Sequence, residues 1–136
     1  MKGIILASHG KLAEGLLDTL KIFAGEPENI EAICLMPGDD MAEFLTKMKS
    51  SIENVDTGEG VVVFCDLLFG TPCNCSGAIF KQEGAIDNIQ VITGMNLPMV
   101  LEYIGSRSNS MSASDIISTG QNGIVDFNKL FKERQS

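Results

Sequence analysis

A three-layer α/β fold, with a mostly parallel central sheet between helices on both faces, is predicted by three observations. Short apolar runs alternate with segments of helical period, which is the pattern of βαβ units. Three of the runs are almost continuous in Ile, Val, Leu and Phe, as strands covered on both faces read. Gly and Pro punctuate the ends of the helical segments. The first strand is GIILAS from Gly3. Lys11 to Ala24 follows as a helix, with Leu12, Leu16, Leu17, Leu20 and Phe23 on one stripe and Gly25 and Pro27 as its stop. IEAICLM from Ile30 is the second strand, and Asp39 to Asn54 the second helix, striped by Met41, Phe44, Leu45, Met48 and Ile52. Asp39 and Asp40 stand as acids at its start, where they offset the helix dipole. VVVFCD from Val61 is the third strand. Thr71-Pro72 opens the third helix, with Thr71 as N-cap and Pro72 in the first turn. IQVIT from Ile89 is the fourth strand, Pro98 opens a fourth helix, and Ser112 to Ser118 reads as a fifth, ended near Gly120 or Gly123. Ile124 to Phe127 reads as a short last strand, and the chain from Lys129 as a charged tail.

At 136 residues the chain fits one domain, 1–136, since domains commonly run roughly 100–200 residues. The net charge of −8 disfavours nucleic acid and anionic lipid, whose binding needs clustered Lys and Arg. It favours a partner with a basic face. Four cysteines with no CxxC spacing read as reduced thiols of a cytoplasmic protein. A zinc site from His9, Cys73 and Cys75 is disfavoured by that spacing, and no metal or other cofactor is expected. Neither GxxxxGK(S/T) nor GxGxxG occurs, so no nucleotide is indicated. No apolar run is long enough for a membrane span.

In a parallel sheet, ligands collect beyond the carboxyl ends of the strands. Strand one leaves through Ser8-His9-Gly10, strand two through Met36-Pro37-Gly38-Asp39, strand three through Asp66 to Pro72, and strand four through Thr93 to Pro98. His9 is the single histidine. A neutral imidazole, with pKa ~6.5, offers one lone pair to attack phosphorus or take a proton. Its other nitrogen carries hydrogen and needs an acceptor. Asp66, at the end of a buried strand, is the candidate to fix the tautomer and stabilise the ring as it gains charge. Gly70 and Thr71 precede the third helix, whose free N–H groups suit an anion, and Gly10 gives a similar signal before the first. The bland alternatives are a loop histidine without a role and an ordinary capped helix.

Four blocks then carry a resemblance: GIILASHG, MPGDD from Met36, VVVFCDLLFGTPCN from Val61 and TGMNLPMVLE from Thr93. In order and spacing they resemble the mannose-type (mannose/fructose/sorbose) IIA component of the bacterial sugar phosphotransferase system. The resemblance implies a phosphoryl carrier that accepts phosphate from the phosphocarrier HPr on His9. It implies transfer onward to a IIB component, which phosphorylates sugar entering through membrane IIC/IID proteins. Asp66 becomes the aspartate bonded to that histidine, and Thr71, beside Gly70 and Pro72, helps hold the phosphoryl group. It also implies a homodimer that exchanges an antiparallel C-terminal strand near Ile124 to Phe127. With no IIB-like segment in the sequence, a free-standing IIA protein is expected. Phe69 stands where the first of two glycines is common, and Cys73 where an aromatic is common. A receiver-like or flavodoxin-like module shares the alternating pattern, but a receiver carries its acids after strand one. A histidine phosphatase would place arginine where Ser8 stands.

Overall fold

The computed structural model describes residues 1–82, 88–109 and 111–135. Four strands form one parallel sheet: β1 (Gly3–His9), β2 (Ile30–Leu35), β3 (Val61–Cys65) and β4 (Ile89–Ile92), in the order β2-β1-β3-β4. The helices among the described residues are α1 (Leu12–Ala24), α2 (Met41–Val55), α3 (Thr71–Gln82), α4 (Leu97–Gly105), α5 (Ala113–Asn122) and α6 (Phe127–Gln135).

Side chains of each strand alternate between two cores. Ile5, Ala7, Val61, Val63 and Cys65 pack with Phe44, Met48 and Ile52 of α2 and Cys75 and Ile79 of α3. Ile4, Leu6, Val62 and Phe64 pack with Leu20 of α1, Met99, Val100 and Tyr103 of α4, and Ile116 of α5. Helices therefore cover both faces, which is why the central strands are apolar at every position rather than at every second one. The three-layer architecture is the one the sequence predicts.

Element boundaries shift where side chains cap. Asp40 accepts from Ala42 N–H and starts α2 at Met41, while Asp39 accepts from Met36 N–H instead. Thr71 is the first helical residue of α3, not its cap. The Gly70 carbonyl accepts from Asn74 N–H, so Gly70 holds the cap position. Asn96 caps α4 through Met99 N–H and ties it to α5 by donating to Gly120 O.

The last strand expected over Ile124–Phe127 does not form within the single chain. Residues 124–126 lie outside any helix or strand. Asp126 then acts as a helix cap: its Oδ1 accepts from Lys129 N–H and its carbonyl from Leu130 N–H. With those bonds made, the chain turns helical at Phe127, and Phe127 stacks on Phe131 one turn later. The charged tail expected from Lys129 is thus helical to Gln135; Ser136 lies outside the described residues.

The amino-terminal edge of the sheet is held by one cation. Arg107, 8% exposed, donates from Nε to Lys2 O and from its two terminal nitrogens to Glu28 O and Asn29 O. Burial lowers its pKa, yet a guanidinium remains charged in proteins. Arg107→Met leaves three carbonyls without their charged donor. The expected loss is about 3 kcal/mol in urea unfolding, and Arg107→Lys recovers only part, since an ammonium lacks the fork geometry.

Candidate functional site

The order β2-β1-β3-β4 reverses direction beside β1: the chain crosses from β1 to β2 on one side, then returns to place β3 on the other. Such a switch point opens a crevice at the carboxyl ends of the two central strands. His9 ends β1, and Asp66 follows the last residue of β3. Ala7 is paired with Cys65 in the register, so Asp66 arrives level with the end of β1.

The geometry between the two is tight. Asp66 Oδ2 lies 3.0 Å from His9 Nδ1 and also accepts from His9 backbone N–H at 2.9 Å. Asp66 N–H donates back to Ala7 O. Asp66 Oδ1 is buried and accepts no bond among the described residues, so His9 supplies both donors to this carboxylate. A carboxylate has no hydrogen to give, so Nδ1 carries the proton, and in the neutral ring the lone pair then lies on Nε2. The imidazole is 44% exposed and the carboxylate 13%. The acceptor is sheltered and the ring is reachable.

Local sequence explains how the loop holds His9 there. Gly10 adopts φ +57°, a left-handed turn that lets the chain leave the strand at once. Its N–H is committed to Leu35 O at 2.8 Å, so Gly10 shapes the turn and has no amide left for an anion. Buried Ser8 completes it: Oγ accepts from Ala13 N–H at 2.8 Å and donates to Gly10 O. Lys11, at the cap position of α1, makes no side-chain cap, and Ser8 takes over that work. A serine just before a helical run was the available signal for this role.

On the other side, Gly70 lies against the ring. A Cβ on Gly70 would stand 2.6 Å from His9 Cε1 and 3.2 Å from Nε2. Only a glycine lets the loop after β3 approach so closely. Thr71 comes next, at the start of α3. Its N–H and that of Cys73 fall in the first turn, where no intrahelical acceptor exists. Asp39 and Asp40 sit on the same edge of the sheet but serve the turn after β2.

The cysteines take other places. Cys65 is buried one residue before Asp66, and burial, against the opposing hydrogen bond from Ser76, pushes its thiol up to about 12. It stays protonated and offers no competing nucleophile. Cys75 is buried in the core under α3, with its pKa raised by that burial. No group of three or more His, Cys, Asp or Glu side chains with metal-binding geometry occurs among the described residues. No described helix is long and apolar enough to cross a membrane.

A histidine oriented by a carboxylate at a switch point suits acid–base and group-transfer chemistry alike, and family likeness narrows the choice. The family model described as PTS system fructose IIA component (EIIA-man) matches residues 3–120. The chain belongs to this family. It is 30% identical over 125 residues to the PTS system mannose-specific EIIAB component of Escherichia coli K12, covering 89% of this chain and 38% of that protein. The chain therefore spans well under half the length of the mannose-specific EIIAB relatives it matches. It is also 30% identical over 112 residues to the sorbose-specific EIIA component of Klebsiella pneumoniae, covering 82% and 78% of the two chains. Among solved structures, the PTS IIA protein associated with the fucose utilization operon of Streptococcus pneumoniae superposes with TM-score 0.88 at 30% identity, covering 96% of each chain. The EIIA-family fold thus extends over almost all of this chain.

Proposed function

We propose that this chain is a cytoplasmic phosphoryl carrier of sugar uptake. It accepts a phosphoryl group on His9 Nε2 from phospho-HPr and passes it to a IIB component, which serves membrane IIC/IID partners. The observation that carries the reading is the 3.0 Å contact of His9 Nδ1 with sheltered Asp66, which turns Nε2 of a half-exposed ring away from the carboxylate as the nitrogen for transfer. Family membership supports the phosphotransferase role, and the EIIAB name of the mannose-specific relative supports coupling to a IIB part.

In the proposed step, the Nε2 lone pair attacks phosphorus in line with the donor's P–N bond. That bond breaks, the donor imidazole recovers its electron pair, and a new P–N bond forms on His9. The Nδ1 proton stays between ring and carboxylate. As Nε2 gives up its lone pair, the ring gains positive charge, and Asp66 stabilises it. Thr71 and the free amides at the start of α3 receive the phosphoryl oxygens. Positioning and charge dominate such transfers, so little more is required of the chain. Onward transfer to IIB is the same step reversed.

Gly70→Ala tests the packing. The added methyl displaces the imidazole, because Asp66 pins its other side. Transfer from phospho-HPr is expected to fall at least about tenfold, while urea stability moves by less than about 1 kcal/mol. Residues 1–136 act in this reading as one IIA unit and as a homodimer. The outer edge of β4, unpaired among the described residues, and the exposed Ile124, Val125 and Phe127 support an exchanged C-terminal segment. The direct test is intact mass after mixing with HPr, its upstream kinase and phosphoenolpyruvate. One added phosphate per chain, labile in acid and stable in alkali, is the expected result. An unmodified chain overturns the proposal.

A further inference from the structure

We propose that Phe69 is the anchor by which the phosphoryl donor protein engages this chain; the inference rests on the carrier function proposed above. Leu67 to Gly70 form a tight turn closed by a bond from Gly70 N–H to Leu67 O at 3.1 Å. Phe69 is the third residue of that turn, with φ +63°. Gly or Asn is usual where a turn needs positive φ, because a bulky side chain is strained there. The conformation is locked, since Phe69 O accepts from Asn74 Nδ2 of α3 at 3.1 Å.

The fold receives nothing for this strain. The Phe69 side chain is 76% exposed, and it belongs to neither core. It has no ring partner among the described residues, where the aromatic pairs are Phe64 with Tyr103 and Phe127 with Phe131. Leu67 and Leu68, its neighbours in the turn, are exposed as well. Strain held at a surface position without packing return is a mark of function.

Position names the occupant. Gly70, the next residue, lies against the His9 ring, so a protein that docks over Nε2 meets the turn that carries Phe69. A small phosphodonor need not. On the same edge, exposed Asp39, Asp40 and Glu43 line a hollow with Lys47, adding net negative charge. The fitting partner presents an apolar socket beside its phosphorylated side chain, flanked by basic residues. Under the proposed function that partner is HPr. Buried aromatic anchors of this kind carry a disproportionate share of binding energy.

The test compares Phe69→Ala and Phe69→Gly with wild type, using two donors. Phosphoramidate labels a reactive histidine without a protein partner; phospho-HPr requires docking. For both variants, kcat/KM with phospho-HPr is expected to fall about tenfold or more, with phosphoramidate labelling unchanged. Phe69→Gly, relieved of the strain, should be at least as stable in urea as Phe69→Ala. Unchanged rates with phospho-HPr overturn the proposal. Equal losses with both donors also overturn it, because Phe69 would then act on His9 itself. A sedimentation shift accompanying the loss would assign Phe69 to self-association instead. Wild-type protein labelled by neither donor sinks the carrier function, a result distinct from all of these.

Discussion

His9→Ala leaves a folded protein that takes no phosphoryl group from phospho-HPr. Transfer is expected to drop by at least about a thousandfold, because the proposed nucleophile itself is gone. Cys65, one residue before Asp66, is held protonated by burial, with its thiol pushed up to about 12. Stability should stay within about 1 kcal/mol of wild type, since the imidazole is half-exposed and contributes to neither core. Radiolabel transfer from phospho-HPr, read beside urea unfolding, checks both halves. Labelling at the wild-type rate would remove His9 from the mechanism.

Asp66→Asn is the second large effect, and it separates orientation from charge. The amide keeps the size of the carboxylate and retains an acceptor for His9 N–H, so the fold should survive with a loss of about 2 kcal/mol or less. The imidazole loses its anionic partner. An amide can also turn its NH2 toward Nδ1, which moves the ring proton to Nε2 and blocks the lone pair. The transfer rate should fall by roughly a hundredfold to ten-thousandfold, the upper figure being the loss when a triad aspartate becomes Asn. Rapid-quench measurement of single-turnover transfer reads this directly. A loss of under about threefold would mean that Asp66 does not govern the reactivity of His9.

The strands and their covering helices were legible because burial on both faces leaves an unmistakable apolar run in β1 and β3. The meeting of His9 and Asp66 was legible for a topological reason. Parallel strands send all their exits to one edge, and an aspartate closing a buried run has few other uses. The strand order was not legible, since alternating βαβ units admit several. Capping was read one residue late at Thr71, because Gly70 caps with its backbone and leaves no side-chain signal. The capping role of Ser8 and the clamp made by Arg107 went unread for different reasons. Ser8 caps α1 from outside the helix, five residues before the N–H that it holds, whereas Arg107 reaches carbonyls about eighty and a hundred positions away. At the carboxyl end, β-branched and aromatic residues suggested a strand, and the capping bonds of Asp126 favoured a helix from Phe127. Gly10 shows the limit of motif reading: a glycine before a helix suggested an anion-binding amide, but that amide is taken by Leu35 O.

The central claim is a statement about one nitrogen atom. Long-range proton–nitrogen NMR of the phosphorylated protein, with the imidazole labelled, reports which ring nitrogen bears phosphorus and which bears hydrogen. Phosphorus on Nε2 with a retained proton on Nδ1 is the predicted spectrum. Phosphorus on Nδ1, the atom that faces Asp66, would contradict the account.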